Sequence, residues 1–163
     1  MRQQLVSRST WLVVSSLIFV SGCGSGGKPP PKLGELVPVT GTVTMDGQPL
    51  AKATVVFHPT EDSGFHGSQA VTDENGKYKL ETDIGDGKMK EGALPGRYQV
   101  TVSRLVKPAT GEVVTIDPKA SVGPMTMGAV QSIPMRFSAL AQTVLEADVK
   151  AGGAAIDFAI KKE

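Results

Sequence analysis

Cysteine is almost missing from this chain of 163 residues: the one present, Cys23, can form no internal disulfide, so the fold must stand on its apolar core. Tryptophan is as scarce, with Trp11 alone, and aromatic residues make up 5% of the chain, which counts against a sugar-stacking surface built from several rings. Histidine occurs twice, as His58 and His66, too few for a closed zinc site with four ligands. Neither sign of charge dominates. The formal net charge is +1, and without Arg2 and Arg8 there remain 15 basic residues against 16 acidic ones. A near-neutral chain lacks the clustered Lys and Arg that displace counterions from nucleic acid, so no nucleic-acid partner is expected. The most apolar stretch, Trp11 to Val20, has ten residues. A helix across a bilayer core of about 30 Å takes roughly 20. What the chain does have is 19 Gly, 11 Pro and 40% apolar residues, a composition for one core and many turns, which favours an all-β domain over a helical bundle.

The first residues read as a targeting segment. Arg2 and Arg8 give a positive n-region, Trp11 to Val20 an apolar h-region, and Ser21-Gly22 a pair of small residues before Cys23. Val20-Ser21-Gly22-Cys23 resembles the lipobox of bacterial lipoproteins, in which a hydrophobic and two small residues precede a cysteine that is lipidated and becomes the new N-terminus. The resemblance implies a signal peptide over residues 1–22, lipidation of Cys23 and attachment to the membrane through it. Each buried methylene of an acyl chain adds about 0.8 kcal/mol of membrane affinity, and one chain alone holds only marginally. Residues 23–36 read as a tether, flexible in its Gly-Ser half and extended at Pro29-Pro30-Pro31. Gly24, where an Asp would favour retention at the inner membrane, points toward the outer membrane.

Residues 37–163 read as the folded domain, in seven strands. Val39, Gly41, Val43 and Met45 alternate with Thr40, Thr42 and Thr44, the two-residue period of a strand with one wet face. Asp46-Gly47 tolerates the positive φ angles of a hairpin turn, and Ala53, Val55 and Phe57 resume the alternation. Gln69 to Thr72 and Lys77 to Thr82 are expected to pair through Asp73-Glu74-Asn75-Gly76. Pro95-Gly96 leads into Arg97 to Leu105, with Tyr98, Val100 and Val102 inward. Leu145, Ala147 and Val149 share one face of a sixth strand, and Ile156, Phe158 and Ile160 one face of a seventh, with Gly152-Gly153 expected to join the two as a hairpin. Between the fifth strand and the sixth, Val106 to Ile133 shows no sustained period apart from a short strand near Val113 to Ile116. Short strands at this spacing predict a two-sheet, immunoglobulin-like sandwich.

Three stretches carry a further resemblance. Val39 to Phe57, Thr72-Asp73-Glu74-Asn75-Gly76-Lys77-Tyr78 and Leu94 to Val102 are similar to the carboxypeptidase regulatory-like domain of the transthyretin-like sandwich. The tail from Ile133-Pro134 to Phe158 is similar to that of small bacterial lipoproteins carrying this domain alone. The resemblance implies a fold and an extracytoplasmic role in binding or support, with no catalytic residue to carry over.

Candidate chemistry is weighed against plainer roles. His58 and His66 with Glu61 or Asp62 could meet around a metal, against two solvated loop residues. Tyr78, Tyr98 and the histidines share residue types with the iron site of intradiol dioxygenases, but their order and spacing do not fit it, and both tyrosines lie in phase with the core. Asp73, Glu74, Asn75, Asp83 and Asp86 could offer oxygens to calcium, without the spacing of a calcium loop, and turn formation accounts for Asp73 and Asn75. Met125, Met127 and Met135 could bind Cu(I), against flexible packing. No Gly-x-Ser-x-Gly elbow is present, and Ala159-Ile160-Lys161-Lys162-Glu163 lacks the closing Tyr-Arg-Gly-Ser of the transthyretin-like hydrolases. An internal isopeptide would need Asp157 to face a core Lys, and Asp157 is out of phase with Ile156 and Phe158. No cofactor and no catalytic residue is expected. The reading is a lipid-anchored, non-catalytic binding or structural module, its partner an envelope protein or a glycan, with His58, Phe65 and His66 as the candidate ligand loop. A carbohydrate-binding module is the alternative, with Phe65 as the stacking ring. A metal-dependent binding protein is the third reading.

Overall fold

The computed structural model describes residues 34–61, 67–85, 87–114 and 128–162. The alternation noted above makes β1 (Val39–Met45), with Val39 and Val43 fully buried. Asp46 and Gly47 follow with φ of 51° and 80°, a two-residue turn with both central residues left-handed. It returns the chain into β2 (Gln48–Pro49), antiparallel to β1. The chain then changes layer to form β3 (Thr54–Pro59) and β4 (Ser68–Val71), which pair antiparallel.

Two connections differ from the sequence expectation. The Asp73 to Gly76 turn forms, with the Asp73 N–H donating to the Lys77 carbonyl at 2.8 Å, but the residues directly after it do not pair with β4, and of the expected pairing only Gln69 with Glu81 is present. β5 (Lys77–Lys79) lies antiparallel to β1, while β4 pairs with β3 and with β6 (Glu81–Asp83) in the other layer. The stretch expected to be one strand therefore switches sheets at Leu80. That residue, fully buried, donates its N–H to Val39 of one layer and accepts from Gly92, just beyond the other layer's edge strand. Gly152-Gly153 is likewise a crossover, not a hairpin. β12 (Leu145–Val149) is antiparallel to β8 (Gly96–Ser103), whereas β13 (Ala154–Ala155) and β14 (Phe158–Ile160) run parallel to β1.

The result is a five-stranded sheet, ordered β13-β1-β14 with β2 and β5 on the other side of β1, and a six-stranded sheet ordered β12-β8-β3-β4-β6-β7, where β7 is Met89–Glu91. A small sheet of β9 (Leu105–Val106), β10 (Val113–Val114) and β11 (Val130–Gln131) stands apart. All seven stretches expected to be extended contain strand. The two larger sheets share one core, which gives the molecule a β-sandwich-like character. Val39, Val43, Phe158 and Ile160 enter it from one layer, and Val55, Phe57, Val100, Val102 and Val149 from the other. Phe57 sits among three rings, with centroids of Tyr98, Phe158 and Tyr78 at 5.6, 6.0 and 6.3 Å. Such pairs add about 0.5–1.5 kcal/mol each beyond the area they bury. One helical turn, α1 (Met135–Ser138), adds Phe137 to this core beside Ile133.

Strand register sorts the turns into two ends. Val37 pairs with Ala93, Pro59 with Tyr98 and Val149 with Gly96, which puts the start of β1, the end of β3 and the end of β12 together. Asp46-Gly47, the start of β3 at Thr54 and the end of β8 at Ser103 lie at the other end.

Candidate functional site

Of the residues singled out in the sequence, His58 is the one the structure describes within the ligand loop; Cys23, Phe65 and His66 lie outside the described residues, as do Asp62, Asp86, Met125 and Met127. His58 lies on the outer face of β3, because Val55 and Phe57 point inward. Its Nε2 is 3.0 Å from Thr101 Oγ1 on β8, and partial burial lowers its pKa below the ordinary value.

The other polar candidates serve the backbone. Asp73 Oδ1 accepts the N–H groups of Asn75 and Lys77, both at 2.8 Å, and Asp83 Oδ1 accepts that of Gly85 at 2.8 Å, so each carboxylate closes a turn. Asp157 Oδ1 accepts the Thr42 N–H at 2.7 Å. Tyr78 donates its hydroxyl to the Ile156 carbonyl at 2.7 Å and Tyr98 to the Leu94 carbonyl at 2.6 Å. Burial raises the pKa of both phenols, with the nearby Asp157 charge adding to the effect at Tyr78, so neither ionises at neutral pH. Met135 stands exposed on α1, away from packing. Among the described residues no three His, Cys, Asp or Glu side chains gather where they could hold a metal ion.

A different group is brought together. Thr60, Arg97, Tyr98, Glu146, Ala147 and Asp148 line an open cleft of about 420 Å³ at the end of the molecule where β1 starts. Register does the placing: Asp148 faces Arg97 and Glu146 faces Gln99 across β12 and β8. Thr60, just past β3, donates both its N–H and its hydroxyl to the Arg97 carbonyl, at 3.0 and 3.1 Å. Arg97, Glu146 and Asp148 are all exposed, and Asp148 is 3.3 Å from Lys150. The cleft offers one guanidinium and two carboxylates for ionic contacts. The loop that leaves β3 begins at its rim. In the sequence Arg97, Glu146 and Asp148 read as the wetted half of alternating strands; the available signal was that the wet positions of β12 are both acidic. A second open cleft of about 320 Å³, lined by Val71, Asp73, Lys77, Tyr78 and Lys79, lies where β4 and β5 part between the layers.

Comparison of the chain with protein-family models, curated proteins and solved structures finds no significant match to any of them. Among the described residues no helix is long and apolar enough to cross a membrane.

Proposed function

We propose that the chain is a lipid-anchored, extracytoplasmic, non-catalytic binding or structural module of the cell envelope, with outer-membrane attachment through Cys23. In this reading its domain is a seven-stranded, transthyretin-like sandwich of the carboxypeptidase regulatory-like kind. The observation that carries the proposal is the position of the sole cysteine, directly behind an apolar run of ten residues and two small residues. The use of Asp73 and Asp83 to bond backbone N–H groups supports a structural role for those two carboxylates over a calcium-binding one. Sugar binding would rest on Phe65, because the five aromatic rings among the described residues, Phe57, Tyr78, Tyr98, Phe137 and Phe158, are all buried. Val37 joins the sheet beside Ala93, so the tether enters the domain at the end that bears the cleft.

Cell fractionation tests the anchor. The unaltered chain is expected to sediment with membranes and Cys23→Ser to appear in the soluble fraction. A Cys23→Ser chain that still sediments through its N-terminal segment would overturn the lipoprotein reading.

A further inference from the structure

We propose that β12 is a docking edge to which an extended peptide segment adds as a further strand, with a Lys or Arg of that segment set opposite Glu146. The inference rests on reading the domain as a binding module, and it is independent of whether Cys23 carries lipid.

The direction of the peptide groups carries it. Residues along an antiparallel strand turn their N–H and C=O alternately to one neighbour and then the other. The Arg97 carbonyl accepts the Thr60 N–H, so Arg97 faces the β3 side. Gly96, Tyr98 and Val100 then face β12, and the Thr143 hydroxyl donating to the Val100 carbonyl from that side agrees. Their register partners Val149, Ala147 and Leu145 complete the ladder, which leaves the N–H and C=O of Glu146 and Asp148 pointing away from the sheet. Among the described residues β12 pairs with β8 alone. The strand is regular over five register pairs, with no proline or bulge to blunt the edge.

Side chains select the occupant. Asp148 has Arg97 opposite and Lys150 beside it, whereas Glu146 faces uncharged Gln99 and has no ion-pair partner among the described residues. A cation in the incoming strand would meet Glu146 as a cross-strand pair and lie along the cleft. A second copy of the chain is a poor occupant: antiparallel pairing about Ala147 would set Glu146 against Asp148 twice, with like charges opposed.

Amide exchange on the full chain tests this, with a seven-residue peptide alternating valine and lysine as the probe. At nine-tenths saturation the Glu146 and Asp148 amides should exchange about tenfold more slowly, with those of Leu145, Ala147 and Val149 little changed. Asp148→Pro removes an outward donor without breaking the ladder and should abolish binding. Glu146→Lys combined with Asp148→Lys should turn the preference to a valine and glutamate peptide, and this variant serves if the proline variant does not fold. Unchanged exchange at Glu146 and Asp148, or equal binding of a peptide N-methylated at its lysines, the residues whose N–H groups would face β12, would overturn the proposal. So would slowing that appears on raising the protein concentration alone, which would assign the edge to a second copy.

Discussion

The Tyr98 hydroxyl, at the start of β8, donates to the carbonyl of Leu94 four residues upstream at 2.6 Å. The ring lies in the core against Phe57 while its oxygen fastens the backbone that leads into the longest strand. Tyr98→Phe keeps the ring and strands the Leu94 carbonyl, so it is expected to cost about 1–2 kcal/mol. Urea denaturation reads this as a lower midpoint at unchanged slope, and an unchanged midpoint would show the hydroxyl to be dispensable.

Gly41 and Gly47 make opposite demands. A Cβ on Gly41 would run into the Ile156 carbonyl and come within 2.8 Å of the Tyr78 ring, both fixed in the sheet. Gly41→Ala is expected to cost about 3 kcal/mol, the upper end for overpacking. A Cβ on Gly47 would meet nothing within 4 Å, and only its left-handed φ of 80° resists. Gly47→Ala should cost about 1 kcal/mol. Similar midpoints for the two variants would contradict the close approach at Gly41.

Asp157 stands between β13 and β14 and supplies through its side chain the acceptor for the Thr42 N–H. The contact is exposed, so Asp157→Ala should cost about 1 kcal/mol, while Asp157→Asn, which keeps an acceptor oxygen, should cost less. Equal losses would assign the effect to charge.

Burial holds the His58 pKa in the folded chain below its value in the unfolded chain. The unfolded state therefore takes up a proton first. Stability from this group is fully present above the unfolded value of about 6.5 and is lost as pH falls from there toward the lower folded value. The denaturation midpoint is expected to fall between about pH 7.5 and 5.5, less steeply in His58→Gln, and NMR should place the His58 titration below that of a free imidazole. An identical slope in the variant would remove His58 as the cause.

Period-two alternation made the inward residues legible in advance: Val39, Val43, Val55, Phe57, Tyr98, Val100, Val102, Phe158 and Ile160 are all buried. Turn chemistry was equally local, since Asp46-Gly47 and Asp73 to Gly76 turn where the residue types allow. Pairing was not local. Nothing in Lys77 to Thr82 distinguishes the three residues that pair with β1 from the two, Glu81 and Thr82, that pair with β4, because both halves alternate in the same way. The Gly152-Gly153 crossover was hidden for the same reason: a glycine pair permits a reversal without naming the strand that waits beyond it. The cleft depends on register between β8 and β12, which brings Arg97 to Asp148 from 51 positions away, and no spacing rule on one strand reveals such a meeting.

The parallel pairing of β13 and β14 with β1 joins residues more than a hundred positions apart. Contacts of that separation raise the contact order of the domain and slow its folding, because the loop must close before the pairing repays it. A nascent chain that has emerged only as far as Val149 possesses β1 but not the neighbours on one side of it, nor Phe158 and Ile160 to finish the core. Such a chain stays open and threadable until nearly all of it has been made, which suits a polypeptide that on the proposed route crosses a membrane before it folds.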